Sequence, residues 1–140
     1  MRDIVLDTNC LLQMLSRRSP AYKAWLAYQR EQYKICVSND ILNEYHEILA
    51  EHASLEVADN VISLIMHSPC TRFIDPHFHF NMISADPDDN KFVDCAVIAN
   101  ADYIVTDDEH FKVLEMIKFP PVCVKKLEMF LDDLNENNNP

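Results

Sequence analysis

An aspartate that directly follows a short apolar run, Ile4-Val5-Leu6-Asp7, puts a carboxylate at the C-terminal end of a strand. That is the end at which α/β sheets place their chemistry. Further acids recur along the chain: Glu44 within a helical pattern, Asp86-Pro87-Asp88-Asp89-Asn90 followed by Asp94, and Thr106-Asp107-Asp108 after Tyr103-Ile104-Val105. Carboxylates at strand ends and helix starts suit a hard divalent cation such as Mg²⁺ or Mn²⁺, which takes oxygen ligands. One or two such ions can clamp the attacking and leaving oxygens of a phosphodiester displacement.

Each acid also has a plainer use. A desolvated carboxylate at Asp7 is costly unless paired or bound to metal, whereas Thr8 and Asn9 beside it can either support a ligand or cap the following helix. Glu44 lies three residues after Ile41 and four before Ile48, at the margin of the apolar stripe, from which it can reach across a cleft; Glu47 and Glu51 fall toward solvent. Asp86 and Asp88 beside proline are turn and capping residues. Asp108, with Thr106 to hold it, is the acid expected after the strand at 103–105, although Asp107 is closer to the strand end. A rival imidazole site would use His77 and His79, with His67 or His110, since His-x-His on a strand points both rings the same way.

Apolar runs at 3–6, 34–37, 71–74, 103–105 and 122–124 read as strands, and the longer segments between them carry helical periodicity. Alternating strand and helix argues for a parallel sheet. Helices are expected over 11–15, over 21–32 with Trp25 and Tyr28, and after Ser38, an N-cap for a stripe of Ile41, Leu42, Tyr45, Ile48 and Leu49. Another runs over 55–66 with Val57, Val61, Ile62 and Ile65 facing inward, and another from Asn90 to Asn100 under Phe92, Val93, Ala96 and Val97. The last two hold Phe111, Val113, Leu114 and Ile117, and residues 125–134. The stretch 75–87 reads as a loop. Residues 1–134 form a single domain in this scheme, and 135–140 a disordered tail.

With 140 residues, 49% of them hydrophobic, the chain can bury one proper core. No segment approaches the roughly 18 to 20 apolar residues of a membrane span, and Met1-Arg2-Asp3 leads into a strand rather than a leader, so a cytoplasmic protein is expected. Cys10, Cys36, Cys70, Cys95 and Cys123 lack metal-site spacing and read as free core thiols. The formal net charge of −11 runs against binding a polyanion. Arg17, Arg18 and Lys23, with Arg30, nevertheless gather after Asp7 as one basic lip of an RNA groove or as a solvated helix face. Glycine is absent, so Asn and Asp must take left-handed backbone positions, with Asn100 as a helix C-cap.

The opening Ile4-Val5-Leu6-Asp7-Thr8-Asn9, the stretch Ser38-Asn39-Asp40-Ile41-Leu42-Asn43-Glu44-Tyr45, Asp86-Pro87-Asp88-Asp89-Asn90-Lys91-Phe92 and Ala101-Asp102-Tyr103-Ile104-Val105-Thr106-Asp107-Asp108 together resemble the PIN-domain ribonucleases, and among them the toxin components of toxin–antitoxin pairs. The resemblance implies a three-layer α/β/α fold with a central parallel sheet of about five strands flanked by helices. It also implies a Mg²⁺- or Mn²⁺-dependent endoribonuclease acting on single-stranded RNA, with a cognate antitoxin and a homodimer as family-level partners. It assigns Asp7, Glu44, Asp94 and Asp108 as catalytic, with Asp89 or Asn90 assisting at the metal and Thr8, Asn9 and Thr106 in support. In similar proteins an acid commonly occupies the position of Asn90, so the third ligand is open among Asp89, Asn90 and Asp94. Two other functions fit the same residues: a partner-binding module that has lost turnover, and a structure-specific DNA nuclease.

Overall fold

The strand expected at the start of the chain forms as β1 (Arg2–Leu6), and its Ile4, Val5 and Leu6 are completely buried. A strand hidden on both faces belongs at the centre of a sheet covered by helices on either side. In this computed structural model, which describes residues 1–76, 79–83 and 87–138, β1 is the middle strand of five. The others are β2 (Tyr33–Val37), β3 (Thr71–Phe73), β4 (Tyr103–Val105) and β5 (Val124–Lys125), in the order β3-β2-β1-β4-β5. Every pairing is parallel.

Parallel strands require crossovers, and helices supply them: α1 (Thr8–Leu15) and α2 (Tyr22–Gln29) between β1 and β2, α3 (Asn39–His52) and α4 (Leu55–His67) between β2 and β3, and α5 (Asn90–Ala99) before β4. The chain winds outward from β1 to β3, then returns to β1's other side through β4. The reversal leaves a crevice at the C-terminal ends of β1 and β4. Because α5 precedes a parallel strand, its N-terminus lies at that same end of the sheet. So does the N-terminus of α3, which follows β2.

The core closes around these elements. Helix α5 packs across β1, β2 and β4, and its Phe92, Val93, Asp94 and Cys95 are all buried. On the other side α6 (Leu127–Asn138) lies on α2, with Phe130 meeting Tyr33 edge-on at 5.0 Å between ring centroids. Four cysteines are buried as free thiols, but Cys123 is exposed, contrary to its place in the expected core.

Several local expectations shift. Helix α2 stops at Gln29, three residues early, because the chain turns through Glu31 at φ 61°. Ser38 caps α3 as expected, accepting from Ile41 N at 3.3 Å. In α4 Ala58 and Ile65 are buried and Val61 and Ile62 pack against the core as expected, but Val57 is turned out to 40% exposure. Residues 109–116 form a 3₁₀ helix, η2 (Glu109–Met116), rather than an α-helix. At three residues per turn, Phe111, Leu114 and Ile117 share one face, which leaves Val113 exposed. The last strand lies at Val124–Lys125, later than 122–124, and α6 continues to Asn138 instead of ending at 134. The described part of 75–87 has no regular structure before a short 3₁₀ turn, η1 (Pro87–Asp89).

Among the described residues, Glu31, Asn81 and Asn100 have positive φ in this glycine-free chain. Asn100 sits at φ 52°, ψ 46° and ends α5 in a Schellman arrangement: Asn100 N–H bonds Val97 O at 3.2 Å and Ala101 N–H bonds Ala96 O at 3.0 Å. Since the left-handed conformation costs a β-branched residue most, Asn100→Val is expected to destabilise the fold by about 1–2 kcal/mol and Asn100→Gly to stabilise it by about 0.5 kcal/mol. Urea midpoints for the two variants and the wild type check both signs.

Candidate functional site

Register brings the first and last acid stations together. Leu6 pairs with Val105, and Asp7 N–H continues the ladder to Val105 O at 3.0 Å, so Asp7 and Thr106 leave adjacent strands side by side. Thr106 is almost wholly buried, and its hydroxyl joins two acids: it donates to Asp7 Oδ2 at 2.7 Å and accepts from the backbone N–H of Asp108 at 3.0 Å. Asp7 is itself only 7% exposed. Burial pushes its carboxyl above the ordinary value of 3.8, against the lowering effect of the Thr106 hydroxyl and the Thr8 N–H; the charges of Asp108 and Glu44 raise it further.

Glu44 enters from α3, a turn and a half from the helix start, as an edge position predicts. One carboxylate oxygen accepts from the Thr8 hydroxyl and the other from Lys91 Nζ at 2.9 Å. Lys91 also lies 3.1 Å from Asp88 Oδ1. Burial alone would pull its ammonium down, but the hydrogen bonds to Glu44 and Asp88 outweigh that and hold it above its usual range. It stays charged. Asn9, in contrast, is exposed.

Asp89, Asp108 and His110 form a tighter group, with one ligand atom from each all within 4.8 Å of one another. His110 Nδ1 is 3.6 Å from Asp89 and 3.4 Å from Asp108. The Asp108 carboxylate also accepts from His110 N at 2.9 Å, capping η2. Asp107 is engaged elsewhere, accepting the N–H of Leu127 at the first residue of α6 at 3.1 Å. The charges of Glu44 and Asp108 act on Asp7 across the crevice, and the start of α5 brings its N-cap Asp89 and then Lys91 to the same end of the sheet.

Asp94 and Asn90 do share a helix face, but that face grips the preceding segment. Asp94 accepts from Phe80 N at 3.0 Å and contacts His79 Nδ1 at 3.2 Å; Asn90 exchanges two 2.8 Å hydrogen bonds with the backbone of Ile83. Among the described residues, neither belongs to the group formed by Asp89, Asp108 and His110. Asp86 and His77 lie outside the described residues. His79 is bound to Asp94, and His110 joins the carboxylates rather than a histidine cluster. The expected basic lip, Arg17, Arg18 and Lys23, is exposed; Arg17 and Arg18 follow the far end of α1, about 12 Å along its axis from Asp7.

Oxygen donors with one imidazole are the set that Mg²⁺ or Mn²⁺ accepts. The buried Asp7, its charge opposed by those of Asp108 and Glu44, would be stabilised by a cation. Beside it, burial, then the charges of Asp7 and Asp107, push the Cys10 thiol up to about 12, which leaves it protonated and unreactive as a nucleophile in the ion-free protein. On the α3–α5 side lies a cleft of about 740 Å³ lined by Asn43, Glu44, Asp88, Lys91, His79 and Asp94.

Two residues escaped the sequence reading: Lys91, hidden because a lysine beside acids reads as a surface charge, and His110, weighed only as a histidine ligand. The spacing Asp89-x-Lys91 on a first helical turn was the available signal.

A carboxyl that holds its proton more tightly when folded favours folding most at pH below its unfolded value, and loses that advantage as pH rises through the folded one. Asp7 is such a group. Asp7→Asn is therefore expected to raise the melting temperature of ion-free protein at pH 7 by a few degrees, with the gap shrinking as pH falls. Adding Mn²⁺ should reverse the order by stabilising only the wild type. Thermal melts at several pH values, with and without Mn²⁺, test this.

The sequence profile of the PIN domain family matches residues 3–110. No curated protein matches the chain in sequence. Solved structures share its fold. VapBC2 from Rickettsia felis, bound to a promoter DNA fragment, aligns at TM-score 0.61 and 16% identity, over 89% of this chain and 98% of that one. VapC20 of Mycobacterium tuberculosis, a toxin that cleaves the sarcin–ricin loop, aligns at 0.58 and 13% identity, over 78% and 92%. DNA-bound VapBC from Salmonella typhimurium aligns at 0.56 and 15% identity, over 91% and 99%. With the profile spanning most of its length and an acidic crevice at the switch point of a parallel sheet, the chain belongs to the PIN domain family, a family of nucleases.

Proposed function

We propose that this protein is a Mg²⁺- or Mn²⁺-dependent endoribonuclease that hydrolyses single-stranded RNA in the cytoplasm as the toxin of a toxin–antitoxin pair. The observation that carries it is the convergence of Asp7, Glu44, Asp89 and Asp108, from three separate crossovers and a strand end, on one crevice. Asp89, Asp108 and His110 would hold the ion, with Asp7 completing its charge; Asp94 keeps the segment at 79–83 in place. A divalent ion bound there supplies a Lewis acid that stabilises charge on the phosphate and makes water a stronger nucleophile.

The chain's own residues supply the rest. Thr106 fixes Asp7 and Asp108 relative to each other, so their geometry is set before substrate arrives. Thr8 orients Glu44, and the cleft beside it leaves room for a flexible backbone to bend past Lys91. A single strand can adopt that path more readily than a duplex. No side chain needs to be covalently modified.

The toxin role rests on the likeness to the VapC and VapBC structures, one of which is a toxin that cleaves RNA and two of which are complexes on DNA. The net charge of −11 suits a basic protein partner such as an antitoxin with a DNA-binding end.

Cleavage of a labelled single-stranded RNA should require Mn²⁺ or Mg²⁺ and fall by about 10²-fold or more in Asp7→Asn, and in Asp89→Asn, while Asp94→Asn acts through stability instead. Faster cleavage of a forked DNA than of RNA would overturn the substrate assignment. Metal-independent binding of a partner without any cleavage would overturn the enzyme itself.

A further inference from the structure

Lys91 is the feature of this crevice that metal ligation leaves unexplained. It leaves the first turn of α5 two residues after Asp89, and its ammonium contacts Glu44 at 2.9 Å and Asp88 at 3.1 Å. Both partners of the Glu44 pair are largely withdrawn from water, with side chains 17% and 18% exposed. Removing a lysine and a glutamate from solvent together is expensive, and a helix-edge glutamate could simply have faced outward. With the Thr8 hydroxyl on its other oxygen, Glu44 already has a donor on each side of its carboxylate.

We propose that Lys91 is a built-in cation that takes the place of a second divalent ion at Glu44, so that the site works with a single bound ion. This rests on the metal-dependent function proposed above. The acids divide accordingly. Asp89, Asp108 and His110, drawn within 4.8 Å of one another, form the end that takes an ion, and Glu44 is served by an ammonium tethered to the neighbouring helix. A divalent ion on Glu44 would have to sit about 2.1 Å from a carboxylate oxygen, beside an ammonium it repels with twice the force of a unit charge.

The arrangement also has a use. Two-metal sites employ one ion to favour the attacking oxygen and the other to stabilise the leaving oxygen. Lys91 lines the cleft together with Glu44, so its one remaining N–H donor is available to the space through which a phosphodiester would pass. An ammonium there can stabilise charge that develops on the leaving oxygen. Because Asp89 is the N-cap of α5 and Lys91 follows it by two residues in the first turn, the ion-holding end and the fixed cation are tied closely along the chain.

Calorimetric titration of Mn²⁺ into the intact protein tests this in the wild type, Lys91→Met, Lys91→Gln and Lys91→Arg, with circular dichroism to check each fold. The wild type and Lys91→Arg should bind a single ion. Lys91→Met and Lys91→Gln should bind a second, or bind the first about tenfold more tightly, as expected when a nearby positive charge is removed. Two ions in the wild type, or unchanged stoichiometry and affinity in the neutral variants, would overturn the role of Lys91 and leave the metal-dependent enzyme standing. Absence of binding in every chain would overturn both, whereas binding only in the neutral variants would support Lys91 as the occupant of the site.

Discussion

The parallel pairing of β1 with β4 is the constraint on which everything at the crevice depends. One register, Leu6 against Val105, decides that Asp7 and Thr106 emerge together. A slip of β4 by one residue would turn its side chains to the opposite face and carry the Thr106 hydroxyl away from the carboxylate it holds. The buried aliphatic strands thus do more than fill the core. Their complete exclusion from water fixes both strands within the core, and the polar residues beyond the strand ends inherit the alignment.

Two buried aspartates show two ways of keeping a charge inside a protein. Asp94 receives a backbone N–H and an imidazole from the segment at 79–80, which ties that segment to α5. Asp7 receives the Thr106 hydroxyl and the Thr8 N–H but faces the charges of Asp108 and Glu44. Such incomplete compensation is characteristic of positions kept for chemistry, since a residue serving stability alone would be expected to find better partners. Sequence distance gives no hint of this difference, because both residues are aspartates next to apolar runs.

Much of the architecture was legible from the chain. Uninterrupted apolar triplets marked the central strands, Ser38 marked a helix start, and the ordering of strand and helix dictated a parallel sheet. Asn100 could be recognised as a C-cap because no glycine was available. What escaped were features decided by rotation about a helix axis or by tertiary competition. The α-periodicity drawn through Val113 failed when that segment wound more tightly. Asp89 and Asp94 were both plausible from spacing, and only the loop packed against α5 separates them, by engaging Asp94 and leaving Asp89 on the side of Asp108. Lys91 was invisible for the same reason: which acid a long flexible side chain meets depends on the neighbouring helix.

Helix α5 has separate duties along its first turn, gripping residues 79–83 through Asn90 and Asp94 and presenting Lys91 to the crevice just after its N-cap Asp89. That division sets different rules for evolutionary change along the chain. Substitution can be absorbed on the outside of the helix, as at the exposed Ile98. A single inserted or deleted residue within its first turn cannot, because it would rotate everything beyond it by about 100°. The loop would then lose its anchor and the crevice its lysine in one step. In this protein the length of that turn is under tighter constraint than most of the letters in it.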